Sequence, residues 1–308
     1  MVDAVEPRGK LPNQLCVGLI GGLFHNQIRC ASNQSKANEI GAGVEENRPF
    51  RGDCMDRHLI FDLGLHRGCD TEFYLNKGFK VIALEANPAM VAQARENPAL
   101  SFAEQEGRLG IVPMALWHRG GESISFYVNS VKDDWSSTIK RLAEKGRHPA
   151  REIKVATITL AQMFEQLGVP YYVKCDIEGA DVIFSEQLIS QKELPAFVSA
   201  EEGDMRMHGH FASAGYDRFQ LVNQALHDFI VQPNPSREGQ FVETKFTSHM
   251  SGPFGLDLPF DKWITYEELN DWLVMYRNLR RGGFPLSDAW FDIHATKKET
   301  LAAAAASA

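Results

Sequence analysis

The feature that most limits what this chain can fold into is a pair of matched segments. Ile60-Phe-Asp-Leu-Gly-Leu-His-Arg-Gly68 is answered by Val81-Ile-Ala-Leu-Glu-Ala-Asn-Pro88. Each is a short apolar run carrying a carboxylate, Asp62 in the first and Glu85 at the end of the second, with a helix-length segment between them. Such an order buries its apolar faces as a βαβ unit with parallel strands. The glycines of Asp62-x-Gly64-x-x-x-Gly68 take the Cβ atoms out of the first turn. They are expected to let a ligand approach the backbone and the unpaired N–H groups of the next helix. Glu85 stands 21 residues after Gly64 (85 − 64), near the spacing of a carboxylate that accepts from ribose hydroxyls. The pair predicts a nucleoside-bearing cofactor.

The alternation continues beyond this unit. Residues 59–63, 80–84, 111–116, 171–175, 196–200 and 217–222 read as strands, and 290–295 resumes the pattern as a possible return to the sheet. Residues 70–76, 88–96, 160–167 and 180 to about 191 read as helices, with Pro88 and Thr159 as start signals. Residues 123–128 and 153–158 alternate apolar and polar positions, as half-exposed antiparallel strands do. The expected fold is therefore α/β, a Rossmann-like, doubly wound and mostly parallel sheet. It spans 56–298, with a C-terminal helical or irregular insertion over 224–285 that covers the site. Residues 1–55 read as a poorly ordered leader and 299–308 as a frayed, disordered tail.

At 308 residues with 44% hydrophobic and 23% charged, the chain can bury one large core. A net charge of −8 argues against a partner held by phosphate contacts, so no nucleic acid is expected. Five cysteines without CxxC spacing suit a reduced, cytoplasmic setting better than a disulfide framework. No run is long enough to span a bilayer. The apolar run 15–24 has signal-peptide length, but Asp3 and Glu6 before it spoil the required positive flank.

The candidate site residues gather at predicted strand ends, where open α/β sheets bind ligands. Asp62, Gly64, Gly68, Asp70 and Thr71 form the first turn and helix start, and Glu85, Ala86 and Asn87 the second strand end; Ala115 lies near the end of the third strand. Lys174-Cys-Asp-Ile-Glu-Gly-Ala-Asp181 closes a buried strand with three acids and a lysine, an arrangement costly unless the charges serve something. Asp176 is expected to touch the cofactor. Asp176 or Glu178 is the first choice of catalytic base, with Glu201 and His208 behind them. His208-x-His210 beside Glu201, Glu202 and Asp204 could hold zinc, but such histidines are common on surfaces and no metal is expected. His66 and Arg67 face either a substrate or solvent. Trp135-Ser-Ser-Thr138 and Ser251-Gly-Pro-Phe-Gly255 read as loops able to wall a pocket.

With these residues in place, the stretch from Ile60 to Val222 resembles the FkbM-type family of S-adenosylmethionine-dependent methyltransferases. The resemblance rests on the Asp62–Gly68 turn, Glu85-Ala-Asn-Pro88, Trp135-Ser-Ser, Thr157-Ile-Thr-Leu160, Lys174-Cys-Asp-Ile-Glu-Gly-Ala180 and Gly215-Tyr216, in that order. It implies a class I methyltransferase type of sheet and S-adenosylmethionine as cofactor. The implied acceptor is a hydroxyl on a sugar, glycan or small metabolite. By the same resemblance Gly64 and its neighbours hold the methionine part, Glu85 the ribose, and Asp176 and Glu178 flank the methyl. Leu65-His66-Arg67 and Cys175 depart from the family pattern. A nicotinamide-dependent oxidoreductase would want a third close glycine in the turn. A non-catalytic Rossmann-like binding protein would have less use for the acidic cluster.

Overall fold

The computed structural model describes residues 55–283 and 289–307. The leader expected over 1–55, with its signal-like run, lies outside the described residues but for residue 55. Ten strands form among those described: β1 (Asp56–Leu63), β2 (Lys80–Leu84), β3 (Leu109–Val112), β4 (Ala115–Leu116), β5 (Ser123–Asn129), β6 (Ala150–Ile158), β7 (Pro170–Cys175), β8 (Phe197–Glu201), β9 (Arg218–Asn223) and β10 (Phe291–Thr296). Seven of them make one sheet in the order β3-β2-β1-β7-β8-β10-β9. Every neighbouring pair in it is parallel except the two made by β10. The connections run outward from β1 to β3 and then return to the far side of β1 with β7. That reversal leaves a crevice above the carboxyl ends of β1 and β7.

The helices are α1 (Cys69–Asn76), α2 (Pro88–Glu96), α3 (Pro98–Gln105), α4 (Lys140–Ala143), α5 (Leu160–Leu167), α6 (Asp181–Leu188), α7 (Arg206–Ala214), α8 (Tyr266–Arg281) and α9 (Lys298–Ser307). Their starts follow local chemistry. Asn87 accepts from the Ala89 N–H with Pro88 at the first helical position, and Thr159 and Gln162 form a reciprocal capping box. Leu59, Phe61 and Leu63 of β1 pack with α5, α6, α7 and α8 on one face of the sheet. Ile60 joins α1, α2 and α3 on the other. Each large apolar side chain so buried contributes about 1.5–3 kcal/mol.

Two expectations change. The single strand at 111–116 is interrupted at Pro113, whose missing N–H cannot continue a ladder. Residues Leu109–Val112 stay in the main sheet, while Ala115–Leu116 pairs with β6 in a three-stranded sheet that also holds β5. The Ala-rich end is the helix α9, with Leu301 buried against the α1 side of the core. Alanine's high helix propensity and that single apolar anchor order a segment that composition alone makes look frayed.

Between β9 and α8 the chain has only short 3-10 turns. Its path is fixed from inside. The Phe254 ring stacks on Tyr172 with centroids 4.6 Å apart and meets Tyr74 edge-on at 5.2 Å. Lys77 and Asp257 form a fully buried ion pair at 2.9 Å. Glu238 is buried beside it, accepting from the Tyr171 hydroxyl at 2.7 Å and the Leu256 N–H.

Candidate active site

The strand ends converge on a cleft of about 1040 Å³ lined by Gly64, Glu85, Asp176, Glu178, Glu201 and Asp292, among others. Gly64 follows β1, Glu85 follows β2, and Asp176 follows β7. Glu201 ends β8, and Asp292 pairs with it across β10. Of the expected cofactor residues, Asp70, Ala86, Asn87 and Ala115 also line this cleft.

Asp62, Gly68 and Thr71 do not. Asp62 is fully buried and accepts the Thr71 hydroxyl at 2.6 Å, so both lie beneath the turn and support it. The two glycines correct the reading of the turn as a bare backbone left open to a ligand. A Cβ at Gly64 would run into the main-chain carbonyl of Asp176, and one at Gly68 into the Leu100 side chain. Their φ values of +99° and +78° also exclude ordinary side chains. The glycines let the first turn pack against the end of β7 and against α3, and this brings Asp70 and Asp176 to the same space.

Glu85 is 9% exposed. Its carboxylate accepts the His66 N–H at 2.9 Å and the Asn87 N–H at 2.7 Å, one on each oxygen. Burial raises its pKa, and these two bonds oppose the rise. Each oxygen keeps a lone pair, so the group can take two further hydroxyl donors.

The acids after β7 and β8 form the opposite wall. Asp176, Glu178 and Glu201 bring carboxylate oxygens within 4.8 Å of one another. Burial, with Asp176 next in effect, raises the Glu178 pKa to about 8. Burial and the same neighbours take Glu201 to about 9, and burial with Asp176 takes Asp292 to about 8. Burial and mutual repulsion thus shift all three toward the protonated form. The Asp176 side chain is 44% exposed, and an ammonium, Lys174 Nζ, lies 3.7 Å away. An all-oxygen trio suits a hard cation better than zinc, but protons relieve the same repulsion. The turn that carries it is tightly specified. Glu178 sits at φ +51°, with its carbonyl accepting the Ser137 hydroxyl at 2.6 Å, while Asp181 accepts the Ile177 and Gly179 N–H groups.

His208 is not part of this site. It is buried in α7, with Nε2 3.4 Å from Asn270 and its ring 5.6 Å from Tyr266. Helix α7 packs on α6 beneath the sheet edge, which turns His208 inward to the core. His210 contacts Ser185 instead, Glu202 pairs with Arg277 and Asp204 with Arg206, so the imagined zinc set disperses.

Sequence reasoning missed several residues of the cleft. Asp292 comes from the strand that returns last, and nothing local announced that its register opposes Glu201. Asp133 accepts a forked contact from Arg67 at 3.2 and 3.3 Å and lies 3.4 Å from His66, while His249 lies 3.5 Å from Arg67. Trp135 and Ser136 line the cleft as expected of that loop, but in the second loop only Ser251 does; Phe254 is core.

A mostly parallel sheet with one reversed strand near its edge and an acid-lined cleft at its point of reversal is a Rossmann-like arrangement. Within it, residues 62–188 match the methyltransferase FkbM domain. No curated protein matches the sequence. Two solved structures are similar at a distance. A precorrin-6y C5,15-methyltransferase from Geobacter metallireducens GS-15 is 9% identical over 96% of this chain and 94% of its own, with a TM-score of 0.36. The human methyltransferase 10 domain containing protein is 10% identical over 65% and 75%, with a TM-score of 0.32. Superpositions this loose say nothing about the site.

Proposed function

We propose that this methyltransferase uses S-adenosylmethionine and methylates a hydroxyl oxygen of a sugar, glycan or other small metabolite. One observation carries the reading: a buried carboxylate with free lone pairs, Glu85, faces the same cleft as the acidic wall Asp176, Glu178 and Glu201. A ribose diol suits the first, and the carboxyl oxygens of the second are acceptors that suit a cationic sulfonium. The residues therefore fit the cofactor, which when bound supplies an electrophilic methyl group.

The chain's own part is alignment, charge and a proton. Asp70 and the Gly64 turn would hold the methionine part, and Glu85 would accept from the two ribose hydroxyls. Asp176 is the base of choice, since it is the more exposed of the three and burial shifts Glu178 and Glu201 toward the protonated form. It would take the proton that the acceptor hydroxyl loses, for about 10²–10⁴-fold in rate. Glu178 and Glu201, as neutral acids, would donate to the acceptor's remaining oxygens. Holding two reactants aligned supplies more, through effective molarities of about 10⁵–10⁸ M. Cys69 and Cys175 are free thiols, which suits a cytoplasmic setting, and no helix among the described residues is long and apolar enough to cross a membrane.

Calorimetric titration with S-adenosylmethionine and, separately, NAD tests the cofactor. Methyl-labelled donor incubated with cell extract then finds the acceptor by mass spectrometry. Binding of NAD alone would return the chain to the oxidoreductase reading. Binding of S-adenosylmethionine with no labelled product would leave a binding protein.

A further inference from the structure

Lys174 lines the cleft and reaches several of the groups around it. It is the penultimate residue of β7, with its side chain 5% exposed. Its ammonium lies 3.4 Å from Asp62, 3.6 Å from Asp70 and 3.7 Å from Asp176, and it donates to the Gly64 carbonyl at 3.2 Å. These four partners come from the end of β1, the first turn of α1 and the residue after β7. Asp70 in turn accepts the Ser251 N–H at 2.9 Å, so the irregular segment before α8 is tied to the same point.

Three carboxylates around one buried ammonium leave an excess of negative charge. Burial opposes the lysine's charge, but Asp62, Asp176 and Asp70 together raise its pKa well above the ordinary value. The reverse holds for Asp70, where burial raises the pKa to about 6 against the pull of Lys174. Without the ammonium, Asp62 and Asp70 would be two buried carboxylates in one space, and one of them would have to move or take a proton. The Gly64 carbonyl would lose its donor at the same time.

We infer that Lys174 is a positioning residue for the cofactor: by bonding the Gly64 carbonyl and bridging Asp70 to Asp176, it holds the floor in the shape that receives the methionine part. The inference rests on the S-adenosylmethionine reading above. Its alternative is a plain counter-ion, and the two differ in sign. Removing a counter-ion leaves the cleft more negative, and a cationic ligand then binds more tightly. Removing a positioning residue disorders Gly64 and Asp70, and the ligand binds more weakly.

The test is calorimetry of the full chain with S-adenosylmethionine and with S-adenosylhomocysteine, which share the methionine part and differ in charge at sulfur. Lys174→Gln should raise both dissociation constants by about tenfold or more, the size of one lost charge-assisted bond, with stoichiometry near one per folded chain. Tighter binding of S-adenosylmethionine overturns the inference in favour of the counter-ion. An unchanged dissociation constant with reduced stoichiometry overturns it in favour of a purely structural role. Should Lys174→Gln not fold, the charge-balanced Asp62→Asn/Lys174→Gln variant is titrated in its place and read by the same criteria. Failure of the unaltered protein to bind either ligand refutes the cofactor reading itself, a result distinct from any of these.

Discussion

Lys77 offers the sharpest test of how the irregular segment before α8 is held in place. Its side chain and that of Asp257 are both fully buried, with Nζ 2.9 Å from Oδ2. The ammonium also donates to the Ser236 hydroxyl at 2.8 Å and lies 5.4 Å from the centre of the Phe73 ring. Lys77→Met keeps the apolar stem and removes the charge. Breaking one partner of a buried pair costs about 3–5 kcal/mol because the remaining charge stays desolvated. Asp257 would keep three donors, the Ser236 hydroxyl and the N–H groups of Arg237 at 2.6 Å and Glu238 at 3.2 Å. That retained solvation places the loss near the lower figure, about 3 kcal/mol. For a protein of this size it lowers Tm by roughly 6–12 °C. Urea unfolding gives the magnitude, and hydrogen exchange shows where it falls: amides of 236–258 should open before those of β1 and β7. A loss under about 1 kcal/mol, or uniform exchange, refutes the idea that this pair fastens the segment.

Three further outcomes follow from the site. Glu85→Ala should weaken S-adenosylmethionine by about 10²–10⁴-fold in calorimetry, from two charge-assisted bonds of about 1.5–3 kcal/mol each; a change under threefold removes the ribose role. Gly64→Ala should cost more stability than Gly78→Ala, by about 1–3 kcal/mol for forced overpacking. Both residues have positive φ, +99° and +95°, yet only the first Cβ meets backbone, so equal losses in denaturant would sink that account. The third concerns pH. Glu178, Glu201 and Asp292 bind protons in the folded state up to about pH 8–9, whereas the unfolded chain releases them near pH 4. The native state therefore holds extra protons across that window, and stability must fall as pH rises through it. Glu201→Gln should flatten the decline in urea midpoint between pH 6 and 9; a midpoint that climbs with pH contradicts the shifts.

The neighbouring parts of the site were legible in the chain because they depend on local rules. A strand that ends at Leu84 puts Glu85 at its tip whatever surrounds it. Thr159 with Gln162 caps α5, and Asn87 with Pro88 starts α2, through bonds spanning three residues or fewer. The alternation of strand and helix left few other ways to bury β1, β2 and β7. Position along a strand also placed Gly64, Asp176 and Glu201 on the same edge, since parallel strands share their carboxyl ends. What no window of sequence contains is register between distant segments. Asp292 reaches Glu201 only because β10 inserts antiparallel between β8 and β9. His208 leaves the site because of how α7 is rotated against α6 and α8, not because of its spacing from Glu201. The glycines' purpose was likewise decided in three dimensions: the space beside Gly64 is taken by the Asp176 backbone, 112 residues further on (176 − 64). Even the charge states belong to the tertiary structure, because burial and the crowding of carboxylates, neither visible in composition, set which acids keep their protons.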